Sequence, residues 1–266
     1  MILSLPPLLA ALLAAPSLLQ EPAPAPAPDP AQQAAAWLEK AAANQGKAVE
    51  LDMQVDMNAG QMRTRMHGHF LMVDDAHYRG SARYETDMTA LGGTSVTVDM
   101  ALVADGTDLW VDMTQPDSPR RVLQQNLADL QRMQAQMGAA RGLAAGMGQG
   151  AGGFNFADQV KQFAAFADLR LAGVENGRVR LEGPLNAEGQ KTLGGQMPVA
   201  LDRVRMVLDE KTGYPLEIAV DGGGKPVVSI VLSNVRFPEK VDPGQFRFSP
   251  PEGVPVQQVR APRSGN

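Results

Sequence analysis

Residues 49–72 read VELDMQVDMNAGQMRTRMHGHFLM, and the period of that stretch decides the fold. Val49, Leu51, Met53, Val55 and Met57 take every second position against Glu50, Asp52, Gln54 and Asp56, as in a strand with one face buried. Asn58, Ala59 and Gly60 interrupt the pattern as a turn. Beyond them Met62, Thr64, Met66, Gly68, Phe70 and Met72 resume it on an apolar face. Facing Met57 with Met62 keeps both apolar sets on one side, because a one-residue slip would carry a whole set through the sheet. That register places Asp56 opposite Arg63, Asp52 opposite His67 and Glu50 opposite His69, where each opposite-charge pair adds about 0.2–1 kcal/mol.

Downstream the alternation continues. Tyr78, Ala82 and Tyr84 alternate with His77, Arg79, Arg83 and Glu85, and a further strand carries Val96, Val98, Met100 and Leu102. Asp105-Gly106 is a hairpin signal leading into Leu109, Trp110 and Val111. Ser118 and Pro119 then read as the start of an amphipathic helix with Leu123, Leu127, Leu130 and Met137 on one side, running into a Gly/Ala/Met tract at 138–153. Asn155 opens a second helix that aligns Phe156, Val160 and Phe163. Strands resume at 169–174, 178–182, 201–209, 216–220 and 227–237, with turns at Asn176-Gly177, Thr212-Gly213 and 222–224. The expected architecture is mainly β (α+β), one long antiparallel sheet interrupted by a helical, glycine-rich insertion over 118–167.

Upstream, Asp29 and Pro30 form a helix start, since Asp caps free amides and Pro fits the first helical position. Trp37, Leu38 and Ala41 share a face of that helix. Residues 20–30 alternate Pro and Ala as a semi-rigid linker, and the apolar run within 1–19 reads as a signal peptide. The expected layout is therefore a signal at 1–19, a linker at 20–30, one domain at 31–258 and a disordered tail at 259–266. An exported, soluble, periplasmic protein follows. No cysteine follows the apolar run, so no lipid anchor of its own is expected.

A net charge of −5 gives no electrostatic reason to bind nucleic acid, and the absence of cysteine excludes disulfides, thiolate metal sites and a cysteine nucleophile. Gly-x-Ser-x-Gly, phosphate-loop and His-Glu-x-x-His patterns are absent, so the chain does not read as an enzyme, and no cofactor is expected.

Asp105-Gly106 with Leu109-Trp110, then Ser233-Asn234-Val235, Val241-Asp242, Phe246-Arg247-Phe248, Pro250-Pro251 and Gly253-Val254-Pro255-Val256, resemble the signature of the LolA-like outer-membrane lipoprotein carriers. The resemblance implies a strongly curved, unclosed antiparallel β-barrel with helices covering an apolar concave face. It further implies a monomeric carrier of acylated lipoprotein or lipid, served by inner- and outer-membrane transport partners. The chain departs from the family at Val111, where an aromatic commonly follows the tryptophan, and in the plain tract at 138–153.

Methionine is the unusual feature of the composition, with 14 in the chain. The choice is between ordinary core filling and a cavity lined by adaptable thioethers for ligands of variable shape. Leu51, Met53, Val55, Met66, Phe70, Met100 and Trp110 are the candidate lining residues. For the tract at 138–153, which keeps Leu143 and Met147, the choice is between a disordered connection and a lid. His67-Gly68-His69 puts two imidazoles on one strand face near Asp52 and Glu50, but Arg63, Arg65, Arg79 and Arg83 on that face disfavour a metal ion. Two other classes stand beside the carrier: an envelope sensor or scaffold that binds a protein through the same curved sheet, and a Met/His metal chaperone.

Overall fold

Twelve strands form one sheet in the computed structural model, which describes residues 29–44, 46–137, 156–194 and 199–259. In chain order they are β1 (Val49–Ala59), β2 (Met62–Met72), β3 (His77–Asp87), β4 (Val96–Asp105), β5 (Asp108–Gln115) and β6 (Ser118–Asn126). After the insertion come β7 (Arg170–Glu175), β8 (Arg178–Pro184), β9 (Arg203–Asp209), β10 (Pro215–Gly222), β11 (Lys225–Arg236) and β12 (Val256–Val259). The spatial order is β12-β6-β5-β4-β3-β2-β1-β11-β10-β9-β8-β7. Two meanders are thus joined where β1 pairs with β11, and β12 and β7 end at opposite edges, so the sheet is unclosed. Pairing is antiparallel throughout except between β12 and β6.

The decisive hairpin is shifted by two residues from the expected register. Met57 faces Thr64 and Ala59 faces Met62, across a turn of Gly60 and Gln61 with Gly60 at φ 65°. Two-residue hairpin turns demand positive φ, which glycine supplies without strain. A shift of two preserves every side-chain direction, so the apolar face is the expected one while the charge partners change. Asp52 now faces His69 and Asp56 faces Arg65. Arg63–Asp56 and His69–Glu50 survive as diagonal contacts at 3.9 and 3.2 Å.

Residues 118–126, read from sequence as helix, are strand β6, and the helix α2 (Leu127–Met137) starts at their end. Leu123, Leu127 and Leu130 satisfy a helical period, yet Val122 and Leu123 point to opposite faces of the sheet and the segment pairs on both sides, with β5 and β12. Asn126 is the true cap. Its Oδ1 accepts from the backbone N–H groups of Ala128 and Asp129 at 3.1 and 3.3 Å.

Among the described residues the other helices are α1 (Pro30–Ala42), α3 (Phe156–Phe166) and α4 (Ala187–Gly194). Asp29 caps α1 as expected, accepting from Ala31 N–H at 3.0 Å. The end of α1 is tied to the β9–β10 turn, where Lys40 Nζ donates to the Glu210 carbonyl at 2.6 Å and Asn44 Nδ2 to that of Thr212 at 2.9 Å. α1 packs on β7 and α3, and α3 on α4, which places the helices over the face of the sheet that carries the core. Val160, Phe163 and Phe166 of α3 and Leu193 of α4 are buried there.

Beyond β11 the chain crosses the other face as a strap. Its short turn Pro243–Phe246 lies against β3 and β4 before β12 pairs with β6. The expected signal peptide, most of the linker, the tract at 138–153 and all but the first residue of the tail lie outside the described residues.

Candidate functional site

Alternation directs one side chain in two from each strand onto the helix-covered inner face. Leu51, Met53 and Val55 of β1 project there, opposite Phe70, Gly68 and Met66 of β2. The next pairings bring in Tyr84 beside Met66, and Ala82 beside Gly68 with Met100 beyond it. Six of the seven candidate residues, Leu51, Met53, Val55, Met66, Phe70 and Met100, are therefore gathered on one face.

Trp110 is on the other face. Leu109 and Val111 pair with Ala104 and Leu102 on the inner side, so the residue between them must point outward with Val103 and Gln124. There its ring stacks on Phe248 of the strap, centroids 5.3 Å apart and planes at 23°, and its Nε1 donates to Asp105 Oδ2 at 3.0 Å. Burial raises the Asp105 pKa, but donors from Asp108, Trp110 and Thr107 outweigh it and hold the carboxyl below its ordinary value. The Asp105-Gly106 turn, with Gly106 at φ 96°, thereby also anchors the tryptophan.

The floor of the inner face is thin at its centre. Gly68 and Gly80 carry no side chain, and the Phe70 ring lies down over both. A Cβ on Gly68 would sit 2.6 Å from Phe70 Cε2, and one on Gly80 2.3 Å from Cδ1. Such contacts do not occur between real atoms, so the ring is flat only because both positions are glycine. The sequence carries a signal for this, since an isolated glycine within a strand marks a close approach of another group.

Exposure of the inner face changes along β1–β5. Leu51, Leu102 and Leu109 are 0% exposed, Met53 and Val55 are 4% and 6%, and Val96 at the far end is 36% exposed. Met57, Val98, Met100 and Met113 in between are partly buried. The apolar face is thus closed at one end and emerges at the other in a lip rich in methionine. Met57, Val98 and Met113 were not among the candidates.

The outer face of the same strands is polar. Asp52 accepts from Asn234 Nδ2 at 2.6 Å and bonds His69 Nδ1 at 2.7 Å, which together hold its carboxyl below the usual range. A shallow groove of about 530 Å³ runs across His67, His69, Ser81, Arg83, Asp99 and Arg120. Its guanidiniums are satisfied by carboxylates, Arg83 by Asp99 at 2.9 Å and Arg120 by the buried Asp112. Among the described residues no group of three or more His, Asp or Glu side chains is disposed to hold a metal ion. Among them, too, no helix is long and apolar enough to cross a membrane.

No protein-family model matches the chain, and no curated protein matches it in sequence. Solved structures are similar to it over most of its length, at low identity. LprF from Mycobacterium bovis matches at 11% identity and TM-score 0.45, over 81% of this chain and 98% of that one. A LolA superfamily protein from Nitrosomonas europaea matches at 11% identity and TM-score 0.30, over 84% of this chain and 99% of its own length. MucB from Pseudomonas aeruginosa, solved in complex with MucA, matches at 14% identity and TM-score 0.38, over 82% of this chain and 61% of that one.

Proposed function

We propose that the protein is a periplasmic carrier that receives acyl chains of a lipid or lipoprotein on the methionine-lined half of its inner face. The observation that carries this reading is the gradient from fully buried Leu51 and Leu102 to the partly exposed Met57, Met100 and Met113 on one continuous apolar surface. An apolar surface that surfaces at one lip offers hydrocarbon a way in, whereas a finished core has none. Each methylene buried there contributes about 0.8 kcal/mol, and unbranched thioethers adjust to chains of differing shape. The polar outer face, with its paired charges, keeps the opposite side compatible with water.

The test is to purify the protein from bacterial envelopes, extract it with organic solvent and identify bound lipid by mass spectrometry. Acylated lipid in stoichiometric amount is the expected result. Met100→Asp should cut the recovered lipid at least tenfold while the fold survives, because a carboxylate at this partly exposed position keeps access to water. Protein that emerges empty would contradict the carrier reading and favour the scaffold that binds a protein partner.

A further inference from the structure

We infer that Arg121 is the head-group site of the carrier, and that its ligand is an acyl chain ending in an anion, a phosphate or a carboxylate. This rests on the carrier reading above. On β1–β6 the inner-face positions hold apolar, glycine and uncharged polar residues, with Arg121 the single charged exception. Met100 faces Met113 and Met113 faces Arg121, so the methionine row of the inner face ends at a guanidinium. Neighbouring strands lie about 4.8 Å apart, which sets the Arg121 backbone about 5 Å from that of Met113 and about 10 Å from that of Met100. Met100, Met113 and Leu123 are partly buried and Arg121 is exposed, so an amphiphile meets the apolar patch and the charge from the same side.

The other arginines of these strands stand on the outer face. There Arg63 and Arg65 reach Asp56 at 3.9 and 3.4 Å, and Arg83 reaches Asp99 at 2.9 Å. Arg120, next in sequence to Arg121, donates from Nε to Asp112 at 2.8 Å, and Arg79 shares that face without such a pair. On the inner face, among the described residues, no carboxylate pairs with Arg121. The fold therefore gains no ion pair from this charge. An arginine stem covers apolar surface while its head stays in water, so Met113 and the guanidinium offer an amphiphile a place for each of its halves. A neutral head settled there displaces water from the guanidinium and returns little, whereas a phosphate or carboxylate accepts two parallel N–H bonds from it. Discrimination between charged and uncharged acyl ligands follows from that difference.

The experiment compares wild type, Arg121→Gln and Arg121→Lys by calorimetric titration with two pairs of soluble ligands matched in their chains. One pair is dioctanoyl phosphatidylglycerol and dioctanoylglycerol; the other is decanoic acid and decanol. Wild type should bind the charged member about tenfold more tightly than its neutral counterpart, the scale of a hydrogen bond to a charged group. A preference in both pairs supports a site for either anion, and a preference in the phospholipid pair alone supports one for phosphate. Arg121→Gln should abolish the preference and leave binding of the neutral members unchanged, while Arg121→Lys, which keeps the charge without the fork, should retain part of it. Wild type that binds charged and neutral members equally, or a preference that survives in Arg121→Gln, overturns the inference and leaves the carrier reading standing. Wild-type protein that binds none of the four ligands overturns the carrier reading itself.

Discussion

The two halves of the sheet use the same alternation to different ends. In β8–β11 the inner residues Val179, Leu181, Val204, Met206 and Leu208 are 0% exposed, and at the neighbouring edge α1 packs on β7 and α3. In β1–β5 methionine takes over many of the inner positions and burial fades toward the lip. One row across the sheet makes the contrast direct. Met57 is partly buried, while Val228, Val220 and Val204, which continue its row, are 3%, 3% and 0% exposed. Branched side chains with few rotamers close the second half, and flexible thioethers leave the first adaptable. Position in the sheet, more than composition, separates the part that holds the fold from the part proposed to hold a ligand.

The contrast is broken most forcefully by mutating matched inner positions. Leu181→Ala should destabilise the protein by about 2–5 kcal/mol in denaturant titration, because it opens a void in a closed region. Met100→Ala should cost about 1 kcal/mol or less in the same titration, since the lip already tolerates partial exposure. Equal losses at the two sites would erase the distinction.

Much of this division was legible in the residues, and the failures are physical. The period of two in residues 49–72 fixed the inner face, and it survived a register error of two residues because such a shift leaves every side chain on its own side. The turn misled: Asn58-Ala59-Gly60 looks like the bend, but Gly60 at positive φ takes the first of two turn positions. Strand β6 was hidden by leucines at helical spacing, although it is the second arm of a hairpin with β5 across Pro116 and Asp117; β12, more than a hundred residues on, adds only a short pairing along its far edge. Trp110 was assigned by its hydrophobicity against its parity, although Leu109 and Val111 on either side already claimed the inner face. The strap after β11 has no period at all, so its stacking of Phe248 on Trp110 was out of reach.

The smallest expected effect lies on the outer face of the join between the halves. Asn234 of β11 and His69 of β2 both hold Asp52 of β1 in its ionised form. A carboxyl depressed in the folded state stabilises above its unfolded value, about 3.9, and that contribution disappears as pH falls through the folded value. Asp52→Asn should therefore lower Tm slightly at neutral pH, with the gap to wild type narrowing on acidification below about pH 4. A gap that widens in acid would show that Asp52 is not held ionised.

The most direct measurement is photolabelling with a diazirine-bearing fatty acid, followed by peptide mapping. Attachment within residues 49–72 and 96–113, the strands that carry the methionine-lined half of the inner face, is the predicted result. Attachment confined to residues 203–232, or spread evenly over both halves, would contradict a binding face restricted to the methionine-lined side.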